Sequence, residues 1–111
     1  MKEKEFKKVI SDTLSNINDT IIKKGIEYRR ENNPFHNFEK GESKTGRTRE
    51  QVLDGFLLKH EISISDLTDD LAKGKLPSIQ TVNEKFDDNI IYLLIKKAMF
   101  IDKIKNETRE N

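Results

Sequence analysis

The run Glu84-Lys85-Phe86-Asp87-Asp88-Asn89-Ile90-Ile91-Tyr92-Leu93-Leu94-Ile95-Lys96-Lys97-Ala98-Met99-Phe100-Ile101 decides the fold. From Ile90 to Ile101 its apolar residues cover nearly the whole circumference of a helix, and such helices are central in a bundle or buried in an oligomer interface. The helix is expected to extend from about Thr81, with Ser78 or Thr81 as its cap, to Lys105. Residues 106–111 read as a fraying tail. Upstream, Thr48-Arg49-Glu50-Gln51 is a capping box, with Thr48 at the N-cap and Gln51 three residues on. A helix follows to about Ala72 with the stripe Leu53, Phe56, Leu57, His60, Ile64, Leu67 and Leu71, stopped by Gly74 and Pro77. Further back, Phe6, Ile10, Thr13, Leu14, Ile17, Ile21, Lys24 and Tyr28 repeat at helical spacing, which predicts a first helix from near Lys2 to about Tyr28. Between the first two helices, residues 31–47 hold Pro34, Gly41, Gly46 and three asparagines, and read as a long loop. A loop of that length is functional or disordered, and Phe35 and Phe38 argue that it docks on something.

The fold class is therefore all-α. The expected architecture is an antiparallel bundle of three main helices with a long loop between the first and second, in one domain spanning residues 1–105. No internal repeat or heptad run stands out. Apolar residues make up 33% of the 111-residue chain and charged residues 37%, which is a thin core in an ionised surface. Sharing apolar surface with a second copy, as a homodimer, is the expectation. The 21 basic and 20 acidic residues nearly cancel and are interleaved, which disfavours nucleic acid as a partner. The longest apolar stretch, Ile90 to Ile95, is too short to span a membrane. With no cysteine and no apolar run behind Met1-Lys2-Glu3-Lys4-Glu5, a cytoplasmic location is expected.

Three groups of polar residues fall on or beside the apolar stripes. Lys24 lies in the stripe of the first helix near its end, followed by Glu27 and Tyr28; it either snorkels, pairs with a carboxylate, or meets a bound anion. His60 sits in the centre of the second stripe. It is either a hydrogen-bonded core residue or a ligand contact. Along the border of that stripe, Lys59, Ser63, Asp66 and Asp70 share one face, which reads equally as a salt-bridged edge or a cleft wall. Glu84 and Asp88 stand one turn apart, in line with Ile91 and Ile95. They either line the mouth of an enclosed site that holds Mg²⁺ or favour the dipole at a helix N-terminus. Glycine-rich phosphate loops, zinc-protease motifs, nucleophile elbows and EF-hand loops are absent, and His36 and His60 are too few for a multi-histidine site.

The ordered series Lys24-Gly25-Ile26-Glu27-Tyr28, Asn33-Pro34-Phe35-His36-Asn37-Phe38, Leu58-Lys59-His60 with Ser63 and Asp66, and Glu84-Lys85-Phe86-Asp87-Asp88 before Ile91-Tyr92 spans about residues 14 to 100. It resembles small phage and prophage proteins similar to the nucleotide-modification-associated domain. More distantly it resembles the MazG-like all-α nucleoside triphosphate pyrophosphohydrolases. The resemblance implies a dimeric helical bundle that binds a nucleotide or related phosphorylated small molecule with Mg²⁺, through an ExxE pair on one helix and an ExxD pair on the next. The second pair would fall on Glu84 and Asp88, although their spacing is ExxxD and Lys85 stands where the nearer glutamate would be. The first pair has no match, since Glu61 is followed by Ile64 and Ser65 with Asp66 beyond, and Arg29-Arg30 stand where relatives carry glycine. With that acidic motif incomplete, hydrolysis is more in doubt than binding; in an active enzyme, a metal-activated water would attack the α–β phosphoanhydride. The resemblance assigns Lys24 and Lys59 to phosphate, and Tyr28, Phe38 and His60 to the base, with Glu27 and Ser63 beside them. The competing expectation is a non-enzymatic protein that sequesters a host factor or signal, with residues 31–47 as its contact surface.

Overall fold

A computed structural model of the protein describes the backbone of every residue except 29, 31 and 111, and the side chains of all but 24–29, 31 and 109–111. The described residues form four α-helices and no strand: α1 (Glu3–Tyr28), α2 (His36–Thr45), α3 (Arg49–Ala72) and α4 (Ile79–Glu110). The particle is elongated, 52 × 29 × 26 Å. None of these helices is long and apolar enough to cross a membrane.

The expected helix starts are present at atomic detail. The Gln51 amide donates to Thr48 Oγ1 (3.2 Å) and the Thr48 amide donates to Gln51 Oε1 (3.0 Å), so both halves of the capping box close. Thr48→Ala removes an acceptor from the first turn of α3 and should cost about 1 kcal/mol, read as a lower urea midpoint at unchanged slope. Ser78 is the cap of α4, because its hydroxyl accepts from the Thr81 amide (3.1 Å). At the other end α4 continues through Glu110, past the Lys105 at which the composition places its end.

The segment expected to be a long loop is corrected to a helix. α2 begins after a tight turn in which the Asn33 amide donates to the Arg30 carbonyl (2.9 Å) and the Phe35 amide donates to Asn33 Oδ1 (3.0 Å). Its start has no side-chain cap, and it ends on Gly46 at φ 74°, whose amide donates to the Glu42 carbonyl (2.9 Å). Gly41 in its middle is a weak helix former, yet the position needs it. A Cβ there would come within 2.8 Å of Val52 Cγ1 on α3. Packing against α3 therefore outweighs poor local propensity.

The core cluster lies between α2, α3 and α4, where Phe38, Leu53, Leu57 and Met99 are buried with Phe35, Val52, Tyr92 and Ile95 packed against them. Phe56 meets Phe38 edge-on (5.8 Å between centroids) and stacks on Tyr92 (5.9 Å). Ile17 of α1 and Ile91 of α4 are buried outside this cluster. Arg49 ties the layers together. Its guanidinium donates to the Met99 carbonyl (3.1 Å) and Asp102 (3.0 Å) on α4, and stands 4.8 Å from the ring centre of Phe35. Further along α3, Asp54 accepts from Lys96 (2.6 Å). Burial pulls the Arg49 guanidinium down, but hydrogen bonds to Asp102 and Glu50 and their charges outweigh it, so its pKa is held above the ordinary arginine value.

Candidate functional site

The carboxylates singled out at the start of α4 line a groove against α1. Asn16 and Thr20 of α1 form one wall, and Gln80, Asn83, Glu84, Asp87 and Asp88 of α4 form the other, around a space of about 710 Å³. A smaller depression of about 300 Å³, which shares Asn16, Asn83 and Asp87 with the groove, reaches Asp12 and Thr13.

The geometry follows from helical register. Glu84, Asp87 and Asp88 occupy successive positions on the α4 face that turns apolar at Ile91, while Asn16 and Thr20 are one turn apart on α1. Asp87 is 7% exposed, the one polar side chain buried to that degree among the described residues. Its Oδ2 accepts from Asn16 Nδ2 at 2.6 Å, a bond between side chains 71 residues apart that joins α1 to α4. Burying a carboxylate is costly unless it is hydrogen-bonded, and a neutral amide satisfies one of its oxygens without neutralising its charge. Glu84, exposed, accepts from Gln80 Nε2 (3.2 Å). Neither Asp87 nor Asn16 is among the residues that the sequence pattern singles out. An amide in a helix has no pattern of its own until its partner is known.

A second cleft of about 520 Å³ lies near the C-terminal end of α4 and carries Glu39, Glu42, Glu50, Asp102 and Glu107 with Arg49 and Lys103. Three of those acids lie within 4 Å of the Arg49 guanidinium, and Glu107 pairs with Lys103 at 3.1 Å. Four of its five acids thus face a cation of the protein. Among the described residues lining the α1–α4 groove there is no lysine or arginine, so its carboxylates set a negative sign.

The other expected site residues are distributed as follows. Phe38 is 1% exposed within the core cluster, so its ring is taken up by packing and is not on the wall of a base pocket. His60 is half-buried on α3 and stacks on Tyr92 at 4.9 Å; it joins the aromatic layer and is not on the groove. Lys59 is exposed and Ser63 half-buried on the same helix. The side chains of Lys24, Glu27 and Tyr28 lie outside the described residues. Glu84 and Asp88 are thus brought together with Asp87, while the described α3 candidates belong to another layer. No set of three His, Cys, Asp or Glu side chains among the described residues is placed to enclose a metal ion. Compared with protein-family profiles, curated proteins and solved structures, the chain matches none of them.

Proposed function

We propose that the groove between α1 and α4 binds a nucleotide or related phosphorylated small molecule together with Mg²⁺. The observation that carries this reading is the buried Asp87, held by Asn16 across the helices and flanked by Glu84 and Asp88. The donor set suits the ion. Mg²⁺ prefers hard oxygen ligands and takes one or two carboxylates plus phosphate oxygens and water, without a dedicated protein cage. Glu84 and Asp88 would hold it, and when bound it would offset the phosphate charge against the acidic wall. Asn83, Gln80 and Thr20 supply neutral donors and acceptors for a base or ribose. Lys24 remains a proposed phosphate contact, whereas Lys59 lies with the α3 residues that do not line this groove. The scaffold in this reading is an antiparallel arrangement of the long helices that works as a homodimer in the cytoplasm. A phage-type pyrophosphohydrolase activity is the enzymatic extension of the same site.

Thermal unfolding with a panel of nucleotides, each with Mg²⁺ and with chelator, tests this. A ligand at a hundred times its dissociation constant adds about 2.7 kcal/mol, on the order of 10 °C for a chain of this size. The stabilisation should require Mg²⁺ and vanish in the double variant Glu84→Gln/Asp88→Asn at unchanged helix content. A flat panel would overturn the reading. It would favour the second one, a non-enzymatic protein that sequesters a host factor, for which the exposed apolar residues of α1, α3 and α4 speak.

A further inference from the structure

Charges that interleave along the sequence separate in space. The groove between α1 and α4 is walled by carboxylates and amides, with no lysine or arginine among its described lining residues. The opposite sign collects on α2. Helical register turns Phe38 and Gly41 of α2 toward α3, while Glu39 and Glu42 line the cleft beside Arg49. The side away from α3 holds His36, Lys40, Ser43 and Lys44, and Arg47 follows just past the Gly46 turn. Lys40, Ser43, Lys44 and Arg47 are exposed and His36 is half-buried. Among the described residues no carboxylate pairs with Lys40, Lys44 or Arg47. Glu39, next to Lys40 in the chain, accepts from Asn33 (3.1 Å) and pairs with Arg49 (3.7 Å) instead. Folding alone does not call for this face. Like charges one turn apart, as Lys40 and Lys44 are, disfavour a helix. α2 is already weak, with a glycine in its middle and no side-chain cap at its start. Lys44 suits the dipole at the helix end, but Lys40 stands mid-helix and gains nothing from it.

We infer that the outer face of α2 docks on the phosphate backbone of duplex nucleic acid without reading its sequence. The inference goes beyond the nucleotide reading and does not depend on it. Lys40 and Lys44 stand about 6 Å apart along the helix axis, and Arg47 extends the row past the helix end. Such a row meets several phosphates of one strand, and contacts of this kind position a protein without carrying sequence information. Single strands are held largely by bases stacked on exposed aromatic rings. This face offers no such platform. Phe38 is buried, Phe35 is half-buried under the Arg49 guanidinium, and α2 carries no other phenylalanine, tyrosine or tryptophan. An acidic protein fits less well, because protein interfaces centre on an apolar core and the side chains here are polar or cationic throughout. The acidic groove between α1 and α4 would be repelled by the same polyanion, which favours approach through α2.

Fluorescence anisotropy of the whole chain with two labelled duplexes of unrelated sequence tests the face. Both should bind alike, with a Kd on the order of 10⁻⁵ M near physiological salt and a log–log salt slope of about −3. The variant Lys40→Gln/Lys44→Gln/Arg47→Gln should bind at least about thirtyfold more weakly, with the slope reduced by about one for each cation removed. Circular dichroism checks its helix content, and Lys40→Gln alone, the mildest change, should weaken binding about threefold. A matched variant, Lys73→Gln/Lys75→Gln/Lys97→Gln, removes as many charges from exposed positions elsewhere and should bind like the wild type. Glu84→Gln/Asp88→Asn, which disables the proposed nucleotide groove, should bind duplex at least as tightly as the wild type. Equal losses in the α2 and matched variants would overturn the assignment to α2. Absence of binding at low salt would overturn the inference outright. Poly-glutamate competing as well as unlabelled duplex would point to an acidic protein and overturn it too, and tighter binding of the separated single strands would overturn the duplex assignment.

Discussion

Leu53→Ala is expected to remove about 3–5 kcal/mol of stability, the upper part of the range for truncating a buried leucine. Leu53 has no exposed surface and sits in the cluster of Phe38, Leu57 and Met99 where α2, α3 and α4 meet. Its neighbours are poorly placed to collapse into the gap. Phe38 is fixed by its edge contact with Phe56, and α2 already approaches α3 closely at Gly41. Only six hydrophobic side chains are buried among the described residues, so each carries a large share of the core. A chain of this length has a total stability of about 5–15 kcal/mol, and the variant should be partly unfolded at ambient temperature. Urea titration measures it, as a lower midpoint at unchanged slope. A loss below about 1 kcal/mol would show that the cluster is not the core of the fold.

Arg49→Met is expected to cost about 2–4 kcal/mol, although it replaces a charge with an apolar side chain of similar length. The arginine side chain is 12% exposed and holds Asp102 and the Met99 carbonyl on α4, Glu50 on its own helix, and the ring of Phe35 ahead of α2. Methionine keeps the packing but leaves the Met99 carbonyl without this donor and the surrounding carboxylates repelling one another. Asp102 is 40% exposed and can rehydrate, which holds the loss below that of a fully buried pair. Arg49→Lys keeps the charge and loses the planar fork, so roughly half of the loss should remain. A lysine variant as stable as wild type would show that charge alone, and not the forked geometry, ties these helices together.

The helical class and the three long helices are legible in the sequence because their signals are local. The capping box at Thr48, the stop at Gly74 and the period of the apolar residues act within a few positions of one another. α2 is not legible, since it has a central glycine, no capping side chain and flanking turn residues, and it forms because Phe38 and Gly41 find α3. Arg49 carries no pattern either; its partners on α4 lie about fifty residues away. The carboxylates at Glu84 and Asp88 stand out by their register, and the structure brings them to one groove with Asp87. Its essential partner, Asn16, could be found only once α1 and α4 were set side by side.

The proposed seat of the divalent ion and its phosphorylated ligand is the α1–α4 groove. Mn²⁺ substitutes for Mg²⁺ and broadens the nuclear resonances of nearby residues, so titrating it into isotopically labelled protein with a nucleotide present locates the site directly. Broadening should centre on the backbone amides of Asn16 and Thr20 in α1 and of Asn83 to Asp88 in α4, sparing those around Arg49. Broadening centred on the cleft of Glu39, Glu50 and Asp102, or none at saturating nucleotide, would contradict the groove as the functional site.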